Sequence, residues 1–294
     1  MTILVGYVQG EGGTGGVQLG AMAAESLGTD LVVATVVPKP WTTPSMGKVD
    51  AEFTAWTDQV VEKARQEITD YMEIYPPELS WEFRRLDHRT ASRALIDCAV
   101  ELSADGIVIS STGDGQLGQI VVGSTGDTLM HRSPVAVGIS PRGYRSPKHG
   151  QLTRVTVAIT GADKASRAVL ERGRSLSTRM GKPLRVITFA VRGGAMYPPL
   201  VGLSTEDAVL EQWQEQSAHA HHELLDDGSI PSGTECAVAA GRGYREAFDS
   251  IDWIEGEVLF LGSTREGVLS QVFLGSRAAK IIRHSSVPVV VLPR

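Results

Sequence analysis

The sequence predicts two consecutive α/β domains, each with a doubly wound parallel sheet of five strands. The first observation is an internal repeat: "VGSTGDTLMHRSPVAVGISP" at 122–141 returns as "LGSRAAKIIRHSSVPVVVLP" at 274–293. Its Gly-Ser pair recurs 152 positions later, and "ILVGYVQG" at 3–10 stands 152 positions before "VTVAITGA" at 155–162. A constant offset close to half the chain length indicates two copies of one domain.

The second observation is that each copy alternates short apolar runs with helical patterns, which is typical of βαβ units. "GIVIS" at 106–110 and "VLFLG" at 258–262 are matching examples of such apolar runs. In the first copy we expect strands at 3–8, 31–37, 81–86, 106–110 and 134–139, and helices at 16–27, 50–74, 90–103 and 123–132. In the second copy we expect strands at 154–159, 184–190, 234–239, 257–262 and 287–292, and helices at 164–180, 205–226, 243–254 and 275–285.

The segment between the copies, "PRGYRSPKHGQLT" at 141–153, has prolines, glycines and basic residues but no apolar period, and we interpret it as a linker. The predicted domains are therefore 1–140 and 154–294. We expect a pseudo-two-fold axis between them, with the apolar last strands at the contact, because exposed hydrophobic edges invite uncontrolled pairing. Irregular stretches at 38–49 and 192–204 follow the second strand of each copy and indicate a loop that belongs to the fold.

Composition excludes several classes of protein. The net charge of −6, without a long basic run, argues against a nucleic-acid surface. The first residues lack the pattern of a leader, and no apolar stretch is long enough for a membrane span, so we expect a cytoplasmic protein. Cys98 and Cys236 are too few for a disulfide framework or a metal site, and we expect reduced core thiols.

The stretch "GEGGTGG" places Gly10, Gly12 and Gly15 in the spacing of a dinucleotide fingerprint, after a strand and before a helix. Such a site needs an acid at the end of the second strand, but that strand ends in "ATVVPKP". The second copy lacks these glycines altogether. We therefore expect a flexible loop here and no Rossmann dinucleotide site.

The Gly-Ser pairs are more informative, because each is expected to open a helix after the loop that leaves the fourth strand. Free N–H groups and partial positive charge at a helix N-terminus favour phosphate, and glycine lets the backbone come close. The alternative is structural: serine caps a helix well and glycine eases a tight entry. The candidate phosphate residues are Ser110, Gly113, Gly123 and Ser124 in the first copy, and Gly262, Arg265, Gly275 and Ser276 in the second.

With this spacing the chain resembles the universal stress protein family over both halves. Nucleotide-binding members carry G-x2-G-x9-G-[ST] after the fourth strand, and "LMHRSPVAV" and "IIRHSSVPVVV" resemble the family's domain endings. The resemblance implies tandem five-stranded parallel α/β domains that cradle ATP phosphates in this loop. It also implies that adenine would lie near Val36 in the first copy and Phe189 in the second.

We therefore expect a protein that binds an adenine nucleotide, ATP with Mg²⁺ first, in stress response or energy signalling. The second copy is favoured, because the Arg265 guanidinium can bind phosphate, whereas Asp114 would repel it in the first. The alternative is a nucleotide-free module for protein interaction or assembly, since Val8 and Thr160 stand where binding members usually have an acid. Ser110 and Arg265 each replace a motif glycine. We rank a slow ATPase last.

Other side chains do not point to catalysis or to a tightly bound metal. His219 and His222 share a helical face that we expect to be solvated, and His221 lies between them. His131 and His284 are expected in the helix before each last strand, away from any nucleophile in the sequence. The expected partners are an adenine nucleotide and a partner protein or a homo-oligomer, without nucleic acid.

Overall fold

A computed structural model describes residues 2–10, 13–39, 47–73, 79–147, 150–191, 203–263 and 275–293. The chain divides into two compact units, Met1–Gln151 and Leu152–Arg294, which we call domain 1 and domain 2.

Domain 1 is a parallel sheet with strand order β3-β2-β1-β4-β5. Its core consists of the apolar side chains of the strands and of the helix faces that pack on them, such as Leu4, Leu31 and Ile107. In chain order its elements are β1 Thr2–Gly6, α1 Gly15–Leu27, β2 Asp30–Val37, α2 Gly47–Met72, β3 Trp81–Asp87, α3 Ala91–Glu101, β4 Gly106–Ser110, α4 Ser124–Arg132 and β5 Ala136–Ser140.

Domain 2 has the same architecture, and its parallel sheet has the equivalent strand order β8-β7-β6-β9-β10. The predicted fold class, two tandem α/β domains of five parallel strands, is thus confirmed. In chain order its elements are β6 Arg154–Ile159, α5 Lys164–Met180, β7 Leu184–Val191, α6 Leu203–Asp226, β8 Glu235–Gly241, α7 Tyr244–Asp249, β9 Glu257–Gly262, α8 Ser276–His284 and β10 Val289–Leu292.

The first helix of each domain lies very close to the first strand. A Cβ on Gly20 of α1 would collide with Val5, and a Cβ on Gly173 of α5 would collide with Val157. Both helices end at a left-handed glycine, whose N–H and the next residue's N–H bond back to carbonyls of the last turn. These terminal glycines, Gly28 and Gly181, are 153 positions apart, as are Gly20 and Gly173. The two helices therefore correspond at an offset of 153, one more than the strands.

The predicted elements agree with the observed ones to within three residues at their ends, except for the helix expected at 243–254. That helix, α7, ends at Asp249. The indole N–H of Trp253 donates to the carbonyl of Phe248 at 3.0 Å, and the N–H of Ile254 donates to Glu257 Oε2 at 3.1 Å. These hydrogen bonds, each of which involves a side chain, thus replace the backbone hydrogen bonds that a longer helix α7 would need.

Residues 141–147 of the segment between the repeats pack against α1 of domain 1, and we call them the docked segment. Tyr144 covers Gly15, with its Cβ 3.3 Å from where a Cβ on Gly15 would lie, and its hydroxyl donates to Met22 Sδ at 3.4 Å. The N–H of Ser146 donates to Gln18 Oε1 at 2.7 Å. This part of the segment therefore buries the first turns of α1. The prediction that 141–153 acts as a linker stays a prediction, as does the pseudo-two-fold axis.

A buried ionic network lies where the strands of domain 2 begin. Arg185 on β7 and Glu257 on β9 are each 1% exposed and are joined through Arg185 Nη2 and Glu257 Oε1 at 2.5 Å. Thr156 bonds to both, and Arg154 Nη2 lies 2.8 Å from Glu257 Oε2. The Arg185 guanidinium also lies over the ring of Trp253, 4.8 Å from its centroid. Because each charged side chain has an oppositely charged partner, the charges are tolerated inside the core, although Arg154 Nε is buried without a hydrogen-bond partner.

His221 on α6 is buried, and its Nε2 lies 2.9 Å from the hydroxyl of Thr188 on β7. Desolvation by burial, followed by the nearby His222, lowers the pKa of His221 below its usual value of 6.5. His219 and His222 are exposed, as expected for a solvated face. Cys98 is buried and Cys236 half-buried; both are free thiols, and burial raises the pKa of each.

Candidate functional site

In domain 1 the candidate site is the loop between β4 and α4, which folds back on itself. The N–H of Thr112 donates to the carbonyl of Val121 at 3.0 Å, and the N–H of Val121 donates to Ser111 Oγ at 2.9 Å. Arg142 of the docked segment binds the carbonyl of Gly115 through its guanidinium and exchanges two backbone bonds with the loop. The loop is therefore held in one conformation from both sides.

The amino end of α4 opens beside this loop. Gly123 is its N-cap and makes no side-chain cap, so the first-turn N–H groups keep their capacity for an acceptor. A Cβ on Gly123 would come within 2.8 Å of the Thr112 methyl group, and the Thr112 hydroxyl is buried without a hydrogen-bond partner. Ser124 in the first turn is exposed. The two acids of this region, Asp114 in the loop and Asp127 in the first turn, are exposed as well. The site thus combines an uncapped helix end, an unpaired hydroxyl and two nearby carboxylates.

Ser110 stands where nucleotide-binding members of the family have a glycine. Its side chain makes a hydrogen bond to the first helix. Its Oγ accepts the N–H of Gly16 at 2.9 Å, and a Cβ on Gly16 would lie 2.8 Å from the same oxygen. Serine on the strand and glycine on the helix are therefore a matched pair. Gly113 follows in the turn that leaves the strand.

The carboxyl end of β1 carries a polar cluster tied to α2. The hydroxyl of Tyr7 donates to Glu67 Oε2 at 2.6 Å, and the amide of Gln9 donates to Glu67 Oε1 at 2.8 Å. Burial, and then the bond to Glu67, raises the pKa of Tyr7 above its ordinary value. Val8 lies between them and is 58% exposed. Val36, the predicted adenine neighbour, is half-buried near the end of β2.

In domain 2 the predicted site residues lie on both sides of a stretch outside the described residues. Arg265 belongs to that stretch, so its position stays a prediction. Gly262 ends β9, and a Cβ there would collide with Val169 of α5, which is a packing reason for glycine at this position. Gly275 and Ser276 begin α8 as expected, with Gly275 as an N-cap that makes no side-chain bond.

Phe189, the predicted adenine neighbour of domain 2, lies in an aromatic cluster. Its ring centroid is 4.9 Å from that of Phe248 and 6.3 Å from that of Tyr244. Tyr244 in turn stacks on His284 of α8 at 6.0 Å, and burial raises its pKa. The cluster joins the end of β7 to α7 and α8.

The structure brings Ser110, Gly113, Gly123 and Ser124 onto one loop and helix end, as the spacing predicts. It adds Thr112 and Arg142, which the sequence reasoning missed; Thr112 lies inside the motif, where its hydroxyl stands beside a glycine.

Among the described residues, no three His, Cys, Asp or Glu side chains come together as metal ligands would. No helix in the described part of the chain is long and apolar enough to cross a membrane.

Strand order, the closed loop after β4 of domain 1 and the glycine-led helix ends at α4 and α8 define a class of tandem α/β proteins. The model of the Universal stress protein family matches residues 1–141 and 152–293. Two relatives, Universal stress protein Rv2319c of Mycobacterium tuberculosis and Universal stress protein Mb2346c of Mycobacterium bovis, are each 40% identical over 293 residues, covering 100% of both chains. The chain belongs to the universal stress protein family.

Solved structures agree in fold. A universal stress protein from Archaeoglobus fulgidus superposes with a TM-score of 0.55 at 20% identity, covering 100% of this chain and 98% of the other. A putative universal stress protein from Pseudomonas aeruginosa superposes with a TM-score of 0.57 at 13% identity, covering 99% of this chain and 92% of the other. At these identities the likeness concerns the fold alone.

Proposed function

We propose that this universal stress protein binds an adenine nucleotide, ATP with Mg²⁺ first, with its phosphates at the glycine-led end of α4 or of α8. The observation that carries the proposal is the pairing of an uncapped helix end at Gly123 with the buried, unpartnered hydroxyl of Thr112. A phosphate oxygen would supply the acceptor that both lack. Family membership supports a role in stress response or energy signalling.

Two valines at the carboxyl ends of β1 and β2 support a purine. Val8 is exposed at the carboxyl end of β1, and Val36 is half-exposed near the end of the neighbouring strand β2. Two valines offer an adenine ring a flat apolar face but no acceptor for the ribose hydroxyls. The base would therefore be held by burial, with phosphate contacts contributing most of the affinity.

The charged residues oppose phosphate binding in domain 1 and favour it in domain 2. In domain 1, the first turn of α4 carries Asp127 and the preceding loop carries Asp114, and both oppose an anion unless Mg²⁺ shields them. In domain 2, α8 has no acidic residue in its first turn and carries Arg277 there. Arg265 would add a guanidinium. This balance supports domain 2 as the tighter site.

Titration calorimetry with ATP and Mg²⁺ on matched variants tests the proposal. Gly123→Asp and Gly275→Asp each place a carboxylate at one helix N-cap, where it caps the helix and repels phosphate. The variant in the binding domain should lose affinity at least about ten-fold, which is about 1.4 kcal/mol. The thermal stability of Gly275→Asp should hold or rise slightly, whereas Gly123→Asp should lose some, because its Cβ would come within 2.8 Å of the Thr112 methyl group. The other variant is then the control, and no heat for the wild-type protein at millimolar ATP would refute the proposal.

Arg265→Ala tests the preference for domain 2. Loss of one charge-assisted phosphate contact should weaken ATP binding about ten-fold. Unchanged or tighter binding would show that the arginine obstructs the site, and Asp114→Gly would then be the change to measure in domain 1.

The alternative, a nucleotide-free interaction module, is favoured by one group of contacts. Ser110 occupies with its hydroxyl the space that glycine leaves in binding members, and Arg142 closes the loop from the other side. Leu117 on the same loop is 78% exposed, as a residue at a protein contact would be. Nucleotide found by mass spectrometry after denaturing the purified protein would count against this alternative.

A further inference from the structure

Domain 2 has an open groove between the first turns of α5 and the end of β10. We call it the α5 groove; its volume is about 490 Å³, and its lining includes Lys164, Ala168, Arg172, Leu292 and Pro293. This volume lies in the range of natural ligand pockets. Val169 also lines the groove and packs against Gly262, so the groove adjoins the phosphate site proposed above but shares none of its residues.

The same groove exists in domain 1, but there it is filled. Ala168 corresponds to Gly15 at the helix offset of 153, while Leu292 and Pro293 correspond to Ser140 and Pro141 at the strand offset of 152. Around Gly15, a Cβ would lie 3.0 Å from Ser140 Oγ and 3.5 Å from the Pro141 carbonyl. The third neighbour in domain 1 is Tyr144.

In domain 1, Tyr144 and its neighbours cover the face that stays open in the α5 groove among the described residues of domain 2. In domain 1, Tyr144 covers Gly15 and reaches Met22, while the next residue but one binds Gln18, so this face of α1 is buried. In domain 2, Lys164, Ala168 and Arg172 are exposed. The chain itself thus shows what fits such a groove: an extended segment with an aromatic side chain laid over a small residue of the helix.

The charge of the two grooves differs in a way that selects the occupant. The docked segment of domain 1 is basic, with Arg142 and Arg145 beside Tyr144. The α5 groove carries Lys164 at one end and Arg172 two turns later, and neither has an ion-pair partner among the described residues. A basic segment would be repelled there, whereas an acidic one would pair with both cations.

We propose that the α5 groove docks an extended acidic segment of a partner protein, with an aromatic side chain over Ala168 and carboxylates at Lys164 and Arg172. The proposal is independent of nucleotide binding.

The test uses two fluorescein-labelled peptides derived from the chain's own docked segment. One has the sequence Pro-Glu-Gly-Tyr-Glu-Ser, and the other keeps the natural Pro-Arg-Gly-Tyr-Arg-Ser. Fluorescence anisotropy with the full chain should show the acidic peptide binding at least about ten-fold more tightly. A third peptide, Pro-Glu-Gly-Ala-Glu-Ser, should also bind at least about ten-fold more weakly than the first, because it lacks the aromatic ring.

Variants locate the binding. Ala168→Phe fills the groove from an exposed position and should weaken the acidic peptide at least about ten-fold. Lys164→Glu with Arg172→Glu should reverse the preference between the two peptides, and it carries the test if Ala168→Phe fails to fold. Arg179→Glu in the last turn of α5 is the matched control and should leave binding unchanged. Equal binding of the acidic and basic peptides, binding that survives both groove variants, or no binding of the acidic peptide would each overturn the proposal.

Discussion

Val169 of α5 occupies the space that a side chain on Gly262 of β9 would need. In domain 1 the equivalent helix and strand positions are Gly16 and Ser110, and there the strand residue carries the side chain, bonded to the helix backbone at 2.9 Å. The two domains therefore make the same contact in reciprocal ways. Domain 2 has the larger residue on the helix and glycine on the strand, and domain 1 has glycine on the helix and the larger residue on the strand.

The reciprocal pair predicts strong non-additivity in domain 2. Gly262→Ser alone should lower the free energy of unfolding by about 1–3 kcal/mol, because it overpacks against Val169. Adding Val169→Gly should recover part of that loss, although glycine in a helix itself costs about 1 kcal/mol. Urea unfolding of the two single variants and the double variant measures the coupling, and simple additivity would contradict the shared-space interpretation.

Breaking the buried network should be costly. Arg185→Ala leaves the Glu257 carboxylate in the core with one partner fewer and should lower the stability of domain 2 by about 3–5 kcal/mol. Arg84→Ala on β3 of domain 1, whose ion pairs are solvent-exposed, is the control and should cost about 1 kcal/mol or less. Denaturant unfolding compares them, and equal losses would show that the burial of the network contributes nothing.

His221 predicts a loss of stability at mildly acidic pH. Its pKa is lower in the folded protein than the 6.5 of the unfolded chain, because burial disfavours the charged ring. Its contribution is therefore complete above about pH 6.5 and is lost as the pH falls towards the folded value. Unfolding free energies measured on either side of pH 6.5 should differ less in His221→Gln than in the wild type. The exposed His219→Gln is the control, and a drop of the same size in both variants would argue against His221 as the cause.

The docked segment should detach when its aromatic contact is removed. Tyr144→Ala deletes the contacts to Gly15 and Met22, so Arg142 and Arg145 should become much faster sites of trypsin cleavage. The stability of domain 1 should fall by about 1–3 kcal/mol. Tyr244→Ala in domain 2 is a matched aromatic deletion that should leave cleavage at these arginines unchanged. Cleavage as slow as in the wild type after Tyr144→Ala would mean that other contacts hold the segment.

The sequence predicted the architecture well because apolar periodicity and the repeat directly reflect burial. β4 and β9 are runs of buried apolar residues, and the Gly-Ser pairs do open α4 and α8. The end of α7 was missed because Ile251, Trp253 and Ile254 continue an apolar spacing that looks helical, whereas their backbone and indole groups bond elsewhere. Periodicity does not show which bonds compete.

Within the candidate site, the sequence placed glycine and serine correctly but could not reveal the groups that act from a distance. Arg142 belongs to a stretch without any periodic pattern, yet it closes the loop at Gly115. Arg185 is a charged residue in a strand, which usually indicates an edge or a surface, and its partner Glu257 lies 72 positions away. Gly262 matches the phosphate motif, but the sequence cannot show whether this glycine serves a ligand or makes room for Val169.

The fluorescence of Trp253 reports on the ionic network of domain 2. Its indole stacks on Phe248 with ring centroids 5.5 Å apart, and the Arg185 guanidinium lies over the same indole, 4.8 Å from the ring centroid. A cation held this close to an indole perturbs its excited state, so the emission of Trp253 depends on the integrity of the ionic network beneath it. Trp56 on α2 of domain 1 is half exposed and emits from a wet environment. The chain has five tryptophans, and Trp213 of domain 2 is also exposed, so a folding experiment that follows the ionic network through Trp253 replaces the other four with phenylalanine.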